Sequence, residues 1–218
     1  MIEILPFSRE AFLDVFARYN EAIWPLQLVA IMTGSGSVIS IPWGRKASVD
    51  IVVPILTIMW VWTGLVYHGI FFSVINPAAY AFAALFVVQG GALLVFRDSL
   101  RFEISNDWSS WVGLSFIAYA LILYPIVSVL TDQVYPHMPM FGVAPCPLVW
   151  FSFGLLLLTT CQVPRWLLVI PLVWSLIGGS AVLLLDMASD WPLLLSGMIA
   201  VPLLVRRKHR SQANSSHP

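Results

Sequence analysis

Eight side chains in this 218-residue chain combine a polar or soft atom with a place where chemistry could be done: His68, Asn76, Gln89, Tyr135, His137, Met138, Met140 and Cys146. His137, Met138, Met140 and Cys146 are soft or borderline donors of the kind that suit copper(I) or zinc. Their spacing matches no paired-cysteine metal motif, and Met and Cys are also ordinary apolar packing residues. They form a candidate soft-metal set, and no other cofactor is implied. Cys146, set between Pro145 and Pro147, is a conceivable nucleophile with His68 or His137 as its base. The chain holds no GxSxG, HExxH or Walker loop, and no neighbour in the sequence visibly activates the thiol. His68, Asn76, Gln89, Tyr135, His137 and Cys146 together make a candidate site for a small uncharged solute or an ion.

What could position such residues follows from composition. Hydrophobic residues make up 59% of the chain and charged ones only 10%, with a mean hydropathy of +0.87. A soluble domain carries about 25% charged residues. The apolar residues come in runs long enough to face lipid, so the expected fold is all-α, a polytopic transmembrane helix bundle. A spanning helix needs roughly 20 mostly apolar residues. Seven stretches qualify or nearly so: 24–41, 51–72, 78–96, 111–130, 147–161, 166–185 and 193–205. The first is interrupted by Gly34-Ser35-Gly36-Ser37, the fifth and seventh are short, and the seventh carries Pro202.

The basic residues test this reading. With seven spans, Arg45, Lys46, Arg97, Arg101, Arg165, Arg206, Arg207, Lys208 and Arg210 fall on one side, nine of the 11 Lys and Arg. The other side holds Arg9 and Arg18. Cytoplasmic loops collect Lys and Arg, so the expected topology is N-terminus outside and C-terminus inside, multi-pass in a cytoplasmic membrane. Formal net charge is zero, so nothing points to nucleic acid. The opening residues, with Glu3, Arg9, Glu10 and Asp14, lack the basic-then-apolar pattern of a cleavable signal, and the first apolar run would act as an anchor.

Three regions follow. Residues 1–22 predict an amphipathic helix on the outer face: Ser8 is a plausible N-cap, and Phe12, Val15, Phe16, Tyr19 and Ile23 make one apolar stripe that either rests on the membrane surface or packs on the bundle. Residues 23–205 form the seven-helix bundle. Residues 206–218 form a basic and then disordered tail whose cations would touch anionic head groups. The segment 131–147 holds four prolines, which deny it regular helix. Trp24, Trp43, Trp108, Trp111, Trp166 and Trp191 fall near span ends, as an interfacial belt does. Cys146 and Cys161, if on one continuous helix, would stand roughly 22 Å apart, too far for a disulfide.

No Asp, Glu, Lys or Arg lies within any expected span. Ion-coupled pumps place carboxylates there, so a proton-driven transporter loses support, while a facilitator built on backbone groups does not. Gln89, near mid-depth and followed by Gly90-Gly91, either bonds across a helix interface or contacts a substrate. Tyr67, His68, Asn76, residues 131–147, Asp186 and Asp190 all gather on the outer face in this topology. A structural or accessory subunit fits the scarcity of polar groups equally well, and a homo-oligomer or another membrane protein would be its partner. A membrane enzyme using Cys146 or His68 is the third alternative.

The pieces Tyr19-Asn20 with Trp24-Pro25, Tyr67-His68, Asn76-Pro77-Ala78-Ala79, Gln89-Gly90, Tyr124-Pro125, and Phe141-Gly142 through Pro145-Cys146-Pro147 resemble a bacterial family of multi-pass membrane proteins, the domain of unknown function six-zero-six-four. The resemblance covers nearly the whole chain. It implies a bacterial setting and a membrane topology, and no activity.

Overall fold

The computed structural model describes residues 5–185, 187 and 190–206. Asp186 and the basic residues Arg207, Lys208, His209 and Arg210, singled out in the sequence, lie outside the described residues. Among the described residues the fold is all-helical, with eight helices and no strand: α1 Arg9–Ala22, α2 Leu26–Ile39, α3 Arg45–Val74, α4 Ala79–Val95, α5 Trp108–Leu130, α6 Pro145–Leu157, α7 Trp166–Leu185 and α8 Trp191–Arg206.

Two of these, α3 with 30 residues and α5 with 23, are long and apolar enough to cross a membrane. The pair α1 and α2 passes the same test only when joined, and the two meet at 85°. The apolar parts of α4, α6, α7 and α8 are shorter. Among the described residues, two of the seven expected stretches are thus shown to reach spanning length as single helices. The stretch 24–41 yields a 14-residue helix, about 21 Å long against a hydrocarbon core of about 30 Å. Hydropathy alone misses the reason: prolines and turns cut the apolar runs before they reach full length. Helix α6 starts at Pro145, which suits a first helical position because its missing N–H has no helical partner to lose, and it stops at Leu157. The chain then pairs with the α4–α5 connection, where the Thr160 N–H donates to the Arg101 carbonyl at 2.8 Å and the Glu103 N–H to the Leu158 carbonyl at 2.9 Å.

Every one of the 13 residues of α6 is buried. A helix that is apolar on all faces must be surrounded, and α3, α5, α7 and α8 surround this one. Its one hydroxyl in mid-helix, Ser152, accepts the Trp60 indole N–H of α3 at 2.9 Å. Against α5 the contact is backbone to backbone: a Cβ on Gly154 would lie 2.8 Å from the Gly113 carbonyl oxygen, and a Cβ on Gly113 would lie 2.8 Å from that of Gly154. Small residues let helix axes approach this closely. The outer surfaces carry Ile58, Val88, Leu94, Ile122, Leu176 and Met198, all exposed. The apolar side chains thus point outward as well as inward.

The loops sort into two ends. At one, Arg45 pairs with Glu103 and Arg97 with Asp50. At the other, the stripe expected on α1 packs on the bundle, with Val15, Phe16, Tyr19 and Ile23 buried. Ser8 caps α1 by accepting the Ala11 N–H at 3.2 Å. The Tyr19 hydroxyl donates to the Val143 carbonyl at 2.7 Å, and the Asn20 amide to the carbonyls of Pro136 and Met138 at 2.7 and 2.8 Å. The proline-rich segment is irregular as its prolines require, and its second half is drawn into the bundle: Phe141, Val143 and Ala144 are buried. Cys146 is buried and Cys161 exposed, and both are free thiols.

The contact between α5 and α6 gives a direct test. Gly154→Ala should lower the stability of the detergent-solubilised protein by about 1–3 kcal/mol, the usual cost of overpacking. Gly91→Ala, where a Cβ meets nothing within 4 Å, should be neutral or stabilising by up to about 1 kcal/mol. Thermal midpoints of the two variants falling together would refute the close approach as a determinant of the bundle.

Candidate functional site: an aromatic cavity beneath the first helix

Within α3, residues Thr63–Phe71 form a π-helical stretch. The i→i+5 bonding of a π-helix widens the turn, and such segments concentrate at functional sites. Here it turns two consecutive side chains inward: Tyr67 is 1% exposed and His68 is 0% exposed. Tyr67 packs between Phe16 and Tyr19 of α1, with ring centroids 5.2 and 5.3 Å away. His68 sits among rings, its centroid 4.7 Å from that of Phe86, 4.9 Å from Trp174 and 5.7 Å from Phe82. Among the described residues, neither of its ring nitrogens has a hydrogen-bond partner. An unpaired buried polar group costs about 1–3 kcal/mol, so this histidine is held where packing alone would not choose one.

His68 lines a cavity of about 130 Å³ together with Asn76, Cys146, Trp174 and Asp190. Leu5, Phe7, Phe12 and Phe16 cover it from the α1 side. Arg9 fastens that cover by donating from Nε to the Leu185 carbonyl at 3.0 Å. Cys146 reaches the cavity because α6 begins there. Its thiol faces the Asp190 carboxyl and the Trp174 indole, whose N–H closes no hydrogen bond among the described residues. Gly178 leaves the room: a Cβ there would stand 3.2 Å from Trp174 Nε1 and 3.4 Å from Cys146 Sγ. The Tyr124 hydroxyl donates to Asp190 Oδ1 at 2.6 Å. Asp190 is 2% exposed, and burial pushes its carboxyl from the ordinary 3.8 up to about 6, while the Tyr124 and Cys146 hydrogen bonds pull the other way.

Of the six residues expected to bind a solute, His68, Asn76 and Cys146 meet in this cavity. Asn76 also accepts the Ala78 N–H at 3.1 Å in the turn ahead of α4, whose N-cap is Ala78. Gln89 is elsewhere in the core, where its amide donates to the Leu167 carbonyl at 3.1 Å and ties α4 to α7. Tyr135 lies half-exposed, its ring edge toward Trp24 and its hydroxyl 3.4 Å from the Asn20 carbonyl. His137 stands at the surface with Nε2 3.7 Å from Asp14 Oδ1. The soft donors are likewise dispersed. Met138 is buried in the proline-rich loop and Met140 packs at the core's edge, whereas Cys146 faces the cavity. Among the described residues, no group of three or more His, Cys, Asp and Glu could hold a metal ion. Among the described residues the Cys146 thiol faces Asp190 and makes no hydrogen bond to His68.

Trp174, Tyr124 and the burial of Asp190 escape sequence reasoning. One signal for Trp174 existed: most tryptophans fall near ends of apolar runs, as a belt requires, whereas Trp174 lies inside one. Asp190 sits in a connection by sequence, and only the fold reveals that the connection is tucked inside.

The raised carboxyl makes stability depend on pH with a definite sign. Below about 3.8 both folded and unfolded forms are protonated. As pH rises toward about 6 the unfolded form ionises first, so the folded state loses stability across that window and stays penalised above it. Asp190→Asn should flatten this fall while leaving the limbs set by other groups. Thermal midpoints across the window that decline equally in both proteins would show that Asp190 is not the group responsible.

A family model described as a family of unknown function, DUF6064, matches residues 9–215. No curated protein and no solved structure matches the chain significantly. The matched region takes in α1 and every cavity residue that follows it, and on that extent the chain belongs to the DUF6064 family.

Proposed function

We propose that this chain is a multi-pass protein of a bacterial cytoplasmic membrane, with seven crossings, its N-terminus outside and its C-terminus inside. The cavity beneath α1 binds a small solute from the outer side, in a permease-like or sensing role. The observation that carries the solute reading is His68, wholly buried and unpartnered in a cavity lined mainly by apolar and aromatic side chains. Ligand sites are typically apolar concavities with a few polar groups placed in them. Outward-facing apolar side chains on α3, α4, α5, α7 and α8 support immersion in lipid. The sorting of Arg45, Arg97 and Arg101 to the end opposite α1 supports the orientation.

A second reading, an accessory subunit beside another membrane protein, draws on Gly36 and Gly91. Both face open space, and bare glycines on a lipid-facing helix admit a close neighbour. Co-purification of a stoichiometric partner in mild detergent would favour it over a self-sufficient solute site.

Two experiments test the main reading. In His68→Phe the unpaired nitrogens disappear and the slightly larger ring extends into the cavity, so the thermal midpoint should rise and stabilisation by any solute from a broad panel should vanish. A variant that is less stable than the parent, or that still responds to the same solute, would overturn the assignment of His68. For topology, exposed Cys161 lies at the basic end and buried Cys146 is shielded. A membrane-impermeant maleimide should therefore spare intact cells and label inverted vesicles, and labelling of intact cells at Cys161 would reverse the orientation.

A further inference from the structure

Asp190 is a buried carboxyl whose described surroundings supply hydrogen bonds and no cation. Tyr124 donates to it at 2.6 Å, and the Cys146 thiol faces it. The ion pairs among the described residues are Arg45–Glu103, Arg97–Asp50 and His137–Asp14, none of which involves Asp190. Arg9, the basic residue that fastens the cover, spends its Nε on the Leu185 carbonyl. A buried carboxylate is costly unless a cation pairs with it. The same cavity presents the rings of Phe7, Tyr67, Phe72, Phe82 and Trp174, and aromatic faces attract cations, more strongly when water is excluded. His68 adds an independent requirement. One nitrogen of a neutral imidazole is an acceptor, both nitrogens are buried, and neither has a donor.

We propose that the cavity takes a small organic ammonium: one apolar group of about single-ring size carrying a protonated amine, with the amine held between Asp190 and His68. This deepens the solute-site reading and rests on it. The ammonium supplies what each group lacks. Its charge neutralises the Asp190 carboxylate, one N–H donates to the carboxylate and another to the open His68 nitrogen, and the apolar body lies against the aromatic walls. The size follows from the cavity's volume of about 130 Å³, close to the roughly 150 Å³ that holds a benzene ring. A carboxylate-bearing or phosphorylated solute is disfavoured by Asp190, and a plain hydrocarbon would leave both polar groups unpaired.

The test compares benzylamine with benzyl alcohol, near-isosteres that differ in charge. Binding is measured calorimetrically on the full chain in lipid nanodiscs at mildly alkaline pH, with empty nanodiscs subtracted. Two variants accompany the wild type: Asp190→Asn, and Ile177→Trp, which fills the cavity without removing a polar group. The amine should bind the wild type more tightly than the alcohol. Asp190→Asn should weaken the amine by about tenfold or more, the scale of a lost buried charge pair, and leave the alcohol unchanged. Ile177→Trp should abolish binding of the amine. Equal binding of amine and alcohol, both lost in Ile177→Trp, would overturn the ammonium assignment and leave the solute site standing. Amine binding that survives Ile177→Trp or ignores Asp190→Asn overturns the assignment as well. If neither compound binds the wild type, both the assignment and the solute site fall.

Discussion

The rest of the fold depends on the complete burial of α6. Thirteen residues without one solvent-facing side cannot form an outer wall of anything, so four other helices must close around them. The close approach at Gly113 and Gly154 and the Trp60–Ser152 hydrogen bond set how tightly two of them do so. Placing α6 at the centre also places its first turn. Cys146 comes to lie at the floor of a cavity and not in a surface loop, although the segment leading into it is rich in proline.

The cavity is costly to keep. A packed aromatic cluster would be more stable with phenylalanine at position 68, because both nitrogens of the histidine forgo water and find no replacement. Asp190 forgoes water too and recovers it only in part through Tyr124 and Cys146. Binding sites characteristically retain such unmet groups, since a ligand can satisfy them when it arrives. The π-helical turn at Thr63–Phe71 belongs to the same economy: it departs from regular α-helix where Tyr67 and His68 must both face inward.

Much of the architecture is legible in the sequence, and the limits of that legibility have physical causes. Helices were expected close to where α3, α4, α5 and α7 lie, because long apolar runs bounded by charge have few other outcomes. Ser8 and the stripe from Phe12 to Ile23 announced α1 through capping chemistry and helical periodicity. Hydropathy cannot distinguish a helix that faces lipid from one enclosed by other helices, so α6 read as a short span when it is the core. The candidate site was half legible. His68, Asn76 and Cys146 stood out by residue type, and the fold brings them to one cavity. Gln89 left two readings open, because an amide inside an apolar run looks the same whether it faces a cavity or a neighbouring backbone carbonyl; the fold gives it the Leu167 carbonyl across a helix interface. Tyr135 and His137 misled because a loop drawn half inside the bundle leaves its other half outside.

On the membrane reading proposed above, enclosure of α6 has one more consequence, for the thickness of bilayer the bundle would occupy. Hydrophobic mismatch acts only on helices that touch lipid. At about 20 Å, α6 would pinch a bilayer of ordinary depth if it met one, but it meets protein on every side. The match would be set instead by the helices that carry apolar side chains outward, and of these α3, with 30 residues, is about 45 Å long, so it would tilt or project beyond the hydrocarbon. The inner helix is thereby released from any length rule. It can end where the cavity begins, leaving the outer helices to meet the membrane.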